Sequence, residues 1–229
     1  MKTAVLIIPL CLTTIAPAGI INIDDQRFAR VVSYVREGIV ADTYAVLYLP
    51  NGNPIFSGDL DHTVTMGNAG LAHSTMIYSS SFSDSIFQSQ ASVSSNAALN
   101  VFNGSSWSTA AVGTHIFFTI DETTTFQIDG TLSSTGNWGV SEVAFLNTDL
   151  ENFFFARSAD DSLDIHATLT LEAGEYHYYA KSVSSATGVE NLINPSLAAH
   201  NITVTVIPAP ASTALLLLTG STLITRRRR

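Results

Sequence analysis

In residues 125–132 the apolar side chains of Phe126, Ile128 and Leu132 fall on one side of an extended chain, and Thr125, Gln127, Asp129 and Thr131 fall on the other. Ile165, Ala167, Leu169 and Leu171 repeat this alternation against His166, Thr168 and Thr170, and Ile202, Val204 and Val206 repeat it against Thr203 and Thr205. Side chains on a strand alternate between faces with a period of two, so each run specifies a strand with one dry and one wet face. Further strands are expected at 40–49, 63–66, 76–82, 91–102, 141–146 and 152–157, with breakers at 67–70, 103–106, 134–137 and 158–161 recurring at short intervals.

Two hairpins are expected from this pattern. One joins 116–120 to 125–132 through Asp121-Glu122-Thr123-Thr124, and the other joins 163–171 to 176–183 through Glu172-Ala173-Gly174-Glu175, with Gly174 taking a positive φ. In the second, Leu171, Leu169 and Ala167 oppose Tyr176, Tyr178 and Ala180 in one inner stripe. Residues 24–37 read two ways. Phe28, Val31, Val32 and Val35 have helical spacing behind a capping Asp24 or Asp25, and the same segment also reads as a strand. The class is all-β, an antiparallel β-sandwich or jelly roll formed by residues 19–207 as one domain, large enough for a core without disulfides or metal.

The two ends carry different information. Met1 and Lys2 precede a largely apolar stretch at 4–15, and Ala16-Pro17-Ala18 has the small-x-small form of a signal-peptidase site, so residues 1–18 read as a secretory signal cut before Gly19. Cys11, the sole cysteine, would leave with it. Leu10 in front of it is not the small residue that precedes a lipidated cysteine. At the other end Pro208-Ala209-Pro210 leads into an apolar stretch, 211–225, containing Leu215 to Leu218, and then Arg226, Arg227, Arg228 and Arg229. Its length falls short of the ~20 residues of a membrane-crossing helix, a difference that snorkelling arginines and local thinning would cover. Basic residues beside such a segment stay on the cytoplasmic side, which puts the body outside. That body has five basic residues against all 19 acidic ones, a balance that repels nucleic acid.

The C-terminal order of Pro208, Ala209 and Pro210, an apolar stretch and Arg226 to Arg229 resembles the PEP-CTERM sorting signal of Gram-negative bacteria that make extracellular polymeric substance. Ala209 stands where that motif has glutamate. The resemblance covers about a tenth of the chain, residues 208–229, and implies a transmembrane sorting helix at 211–225, with tail processing by an exosortase-like membrane protease. Signal peptidase would be the partner at the other end. The implied destination is the outer surface or extracellular matrix, after transient anchoring of the precursor in the inner membrane.

Chemistry is sparse. The chain has no His-Glu-x-x-His helix, no Gly-x-Ser-x-Gly elbow and no phosphate loop, and its six histidines are scattered. Asp160, Asp161 and Asp164 form the best candidate calcium cluster, although their spacing matches no known calcium loop. Trp107 and Trp138, each read as lying in a Gly/Ser/Asn-rich loop, and Tyr179, on a wet strand face, are the candidate carbohydrate-binding aromatics. Phe153, Phe154 and Phe155 run together, so at least one faces away from the core. The expected role is structural or adhesive in the extracellular matrix, with no catalytic residue. The alternative is a carbohydrate-binding module for extracellular polysaccharide.

Overall fold

The structure is a computed structural model and describes residues 20–37, 40–48, 55–66, 70–100, 104–188 and 193–207. Thirteen strands are described: β1 Ile20–Asp25, β2 Phe28–Glu37, β3 Val40–Tyr48, β4 Ile55–Met66, β5 Gly70–Phe82, β6 Ile86–Leu99, β7 Gly104–Ile120, β8 Thr124–Thr135, β9 Val140–Asn147, β10 Asn152–Ser158, β11 Ser162–Leu171, β12 Gly174–Thr187 and β13 Ile193–Ile207. They form two antiparallel sheets. Sheet A has the order β10-β9-β12-β7-β2-β3, with β1 continuing end to end with β2 along β7, and sheet B has the order β11-β8-β13-β6-β5-β4. The architecture is an antiparallel sandwich consistent with a jelly roll.

The alternation expected from sequence is what the sheets bury. Phe126, Ile128, Leu132, Ile165, Leu171, Ile202, Val204 and Val206 are buried in one cluster with Phe118, Phe145 and Tyr178. Gly130 occupies the inward phase between Ile128 and Leu132, where a Cβ would lie 2.0 Å from the Asn201 carbonyl oxygen, so β8 and β13 approach too closely there for any side chain. Residues 24–37, open between helix and strand, are strand throughout β1 and β2 apart from the break at Gln26 and Arg27.

Both expected hairpins are corrected. β7 lies in sheet A and β8 in sheet B, and β11 lies in sheet B and β12 in sheet A, so the links 121–123 and 172–173 carry the chain across the sandwich. The inner stripe survives in another form: Leu171, Leu169, Ala167, Tyr176, Tyr178 and Ala180 line the same cluster, packed between the sheets and not hydrogen-bonded side by side. Alternation records which face is dry, and that face is the same whether its neighbour is a paired strand or the opposite sheet. Gly174 has no positive φ; the positive-φ glycines among the described residues are Gly130 and Gly136.

The membrane-spanning helix is also corrected. Every element among the described residues is a strand, and none of them is a helix long and apolar enough to cross a membrane. Residues 211–225, on which that expectation rested, lie outside the described residues, as do Ala16, Ala18, Gly19, Pro208, Ala209, Pro210 and Arg226 to Arg229.

A hydroxyl chain crosses the core beside the apolar clusters. Arg27 is fully buried, gripped by Asp25 (Nε to Oδ1 2.7 Å, Nη2 to Oδ2 2.5 Å) and flanked by the rings of Phe56 and Phe82. Its Nη1 donates to Ser80 Oγ at 2.9 Å, and the Tyr78 hydroxyl donates to the same oxygen at 2.7 Å. Because each hydroxyl has one proton, the remaining directions are forced. Thr114 donates to Tyr78 (2.7 Å), Ser89 donates to Thr114 (2.7 Å), and His200 Nε2–H donates to Ser89 (2.8 Å). His200 Nδ1 is then an acceptor and takes the Ser182 proton at 2.8 Å. Ser141 lies 2.9 Å from Ser182 and 3.0 Å from the Ser133 carbonyl, which can only accept, so its single proton is shared between these two oxygens and the forced order ends at Ser182. Burial pushes the fully buried His200 imidazole from 6.5 down to about 3, so it is neutral near pH 7.

Candidate functional site

The turn between β8 and β9 is Gly136-Asn137-Trp138-Gly139, closed by a hydrogen bond from the Gly139 amide to the Gly136 carbonyl at 3.3 Å. Gly136 has φ 82°, and a Cβ on it would lie 2.3 Å from the Pro195 carbonyl oxygen. A Cβ on Gly139 would lie 2.4 Å from the Leu197 carbonyl oxygen. The two glycines therefore let the turn press against the backbone of β13, with the indole of Trp138 left outside at 64% exposure.

Beside that indole runs an open groove of about 680 Å³. Its walls are Thr135 and Asn137 from the turn side, Ser185 and Thr187 from β12, and Asn194 and Pro195 from β13. None of the lining residues is ionisable. Asn194 is oriented by its donation to the Thr187 carbonyl at 3.1 Å, and the Ser185 hydroxyl by its donation to Thr109 at 2.9 Å. An exposed ring face, amides and hydroxyls around an uncharged groove can stack on the apolar face of a sugar and satisfy its hydroxyls. The lining has no charged side chain to attract a metal ion or a phosphate.

Trp107 is not in a loop: it projects from β7 on the outer face of sheet A, 38% exposed, with the Tyr34 ring 6.2 Å away. Its register partner is Thr187, a wall residue of the groove, so both tryptophans stand at one end of the sandwich. Tyr179 is on the wet face as expected, but eight residues along β12 from Thr187, roughly 27 Å at the rise of a strand. The structure therefore groups Trp107 with the Trp138 end and places Tyr179 elsewhere.

Tyr179 belongs to a second aromatic group that the sequence reading did not assemble. On the outer face of sheet A, His115 Nδ1 and His177 Nε2 are 3.2 Å apart, Phe117 stacks on His177 at 4.2 Å, and Tyr179 and Phe28 flank His115 at 5.6 and 5.9 Å. Burial, with smaller contributions from His177 and Lys181, lowers His115 to about 4, and burial lowers His177 as well, so the patch is neutral near pH 7. Burial and the neighbouring Glu142 raise the Tyr179 hydroxyl, against an opposing effect from Arg157.

The acidic candidates do not converge. Asp160 and Asp161 form the bend between β10 and β11, where Asp160 has φ 64° and donates its amide to Ser134 Oγ at 2.8 Å. The Asp161 carboxylate accepts from Ser158 at 2.8 Å, and Asp164 stands on β11 opposite Thr131. No group of three or more His, Cys, Asp or Glu side chains among the described residues is arranged to hold a metal ion. Other depressions lie on the outer face of sheet B, about 370 and 320 Å³, between Ser79, Gln88, Gln90, Asn201 and their neighbours. Another of about 240 Å³ on sheet A is bordered by Glu142, Arg157 and Lys181.

No known family model matches the chain, and no curated protein sequence does. Among solved structures, the enzymatically active domain of bacteriophage CBA120 tailspike protein 4 is similar over 58% of this chain and 19% of its own, at 11% identity and a TM-score of 0.21. A structure of infectious bursal disease virus, Gt strain, is similar over 83% of this chain and 57% of its own, at 11% identity and a TM-score of 0.24. The VP2 subviral particle of the same virus gives 84%, 58%, 10% identity and 0.24. The chain thus spans a fifth of the tailspike chain and somewhat over half of the viral ones, and a likeness this slight carries no argument about function.

Proposed function

We propose that this protein is an exported polysaccharide-binding sandwich that acts in the extracellular matrix or on the cell surface, with the Trp138 groove as its binding site. The observation that supports the reading is the Gly136–Gly139 turn, which holds a large aromatic ring in water beside a groove of amides and hydroxyls without a charge. Leaving a tryptophan outside forgoes the free energy of burying it, roughly 2–3 kcal/mol for a large side chain, so its exposure makes sense where a ligand completes the burial. The ligand class is a neutral sugar unit of a polymer, since the groove is open to solvent and none of its lining residues is charged. Adhesion to matrix polymer is the role that follows. Export and sorting by the PEP-CTERM-like tail belong to the same proposal and rest on the sequence at the two ends.

Affinity electrophoresis or pull-down on a panel of neutral and acidic extracellular polysaccharides tests it. Trp138→Ala should lower retention on at least one neutral polymer by tenfold or more, with an unchanged circular dichroism spectrum. Trp107→Ala should reduce it less. Equal retention of wild type and Trp138→Ala on every polymer would remove the groove as the site.

A further inference from the structure

Strand β10 is the outer edge of sheet A and, among the described residues, pairs only with β9. Open edges present unpaired backbone groups that recruit other strands, and folded proteins usually protect them with charge. The neighbouring edge strand of sheet B, β11, has the polar side chains of Asp164, His166, Thr168 and Thr170 on its outer face. β10 carries one charged side chain, the exposed Arg157, and also exposes Phe153 and Phe155, 46% and 49% accessible, while Phe154 and Ala156 pack inward against the core.

The sequence of β10 is complementary to itself about Phe155. If a second copy runs antiparallel beside it with the two-fold axis at this residue, Phe154 faces the partner's Ala156 on the inner side, a large side chain against a small one. The two copies of Phe155 meet on the outer side. The register inside sheet A gives a second reason for this axis. Phe155 pairs with Ala144, Ala144 with Tyr179, and Tyr179 with His115, so these four outward residues form one row across four strands. Ala144 is fully covered within that row. A two-fold axis at Phe155 makes the rows of two copies collinear. The result is one aromatic band from His115 to the partner's His115, seven strand spacings or roughly 34 Å long.

We propose that the protein forms a two-fold homodimer through β10, joining the two A sheets edge to edge with Phe155 on the axis. The occupant of the edge is a second copy of this chain, and the inference stands apart from the Trp138 groove.

Sedimentation of the full chain from micromolar concentrations up to about 100 µM, the range in which an interface of modest area assembles, should show the dimer mass growing with concentration. Phe155→Lys should leave the monomer mass throughout. In a Cys11→Ser background, Phe155→Cys should form a disulfide-linked dimer on mild oxidation, because directly opposed strand residues have Cα atoms about 4.5–5.5 Å apart, within disulfide reach. Leu163→Cys, on the β11 edge, should not. The cysteine pair also decides the matter if the lysine variant fails to fold. A monomer at every concentration, or a dimer that survives Phe155→Lys and gives no cross-link through position 155, would overturn the proposal.

Discussion

Acid should unfold this protein through His200, and the size of the effect follows from its burial. The folded state holds the imidazole neutral with its pKa lowered from 6.5 to about 3, whereas the unfolded chain releases it to its ordinary value. Between these two values the unfolded state binds more protons than the folded one, so stability rises with pH through this window. The contribution is complete above pH 6.5 and is lost as pH falls toward 3. At about 1.4 kcal/mol per unit, lowering the pH from 7.5 to 5 costs about 2 kcal/mol, and the full window is worth about 5 kcal/mol. The measurement is urea denaturation of wild type and His200→Gln at both pH values. Glutamine has no proton to gain in this range, so wild type should lose about 2 kcal/mol more than the variant between pH 7.5 and 5. The lowered pKa values of His115 and His177 act with the same sign, but they are present in both proteins and cancel in the difference. Parallel losses within about 0.5 kcal/mol, the usual error of such comparisons, would refute the assignment of His200 as the buried neutral group. Nitrogen NMR of the imidazole should independently show the Nε2–H tautomer, which the proton order from Arg27 to Ser182 requires.

Arg27→Met should cost about 3–5 kcal/mol in denaturation free energy, because it removes the partner of a largely buried Asp25 and leaves Ser80 one donor short. Gly136→Ala should lower stability by at least about 1–2 kcal/mol for a left-handed backbone and more for the contact with Pro195, and should also weaken polysaccharide retention by displacing Trp138. Phe126→Ala, at the centre of the larger core cluster, should cost about 3–5 kcal/mol by the same assay.

Much of the fold was legible because a strand writes its two faces into the order of its residues. His200 and Ser182 show how far that signal extends. His200 shares the phase of Ile202, Val204 and Val206, and Ser182 that of Tyr176, Tyr178 and Ala180, so parity marks both as inward-facing. Composition alone marks them as surface residues. The candidate site was legible only in part. Trp138 could be named from its glycine-flanked position, but its groove is completed by Ser185, Thr187 and Asn194 on two later strands. The His115–His177 pair was missed because a separation of 62 residues hides a contact between adjacent strands.

By itself the sequence determined that the body is built of strands and which side of each is dry, since both depend on a local steric rule with a period of two. Tertiary structure decided which strands are neighbours. The links after β7 and β11 cross between sheets although they have the length of hairpin turns. Burying the apolar face of a strand satisfies the hydrophobic term equally against a paired strand or an opposing sheet. Only the hydrogen bonds along its edges, made to segments far away in the chain, distinguish the two.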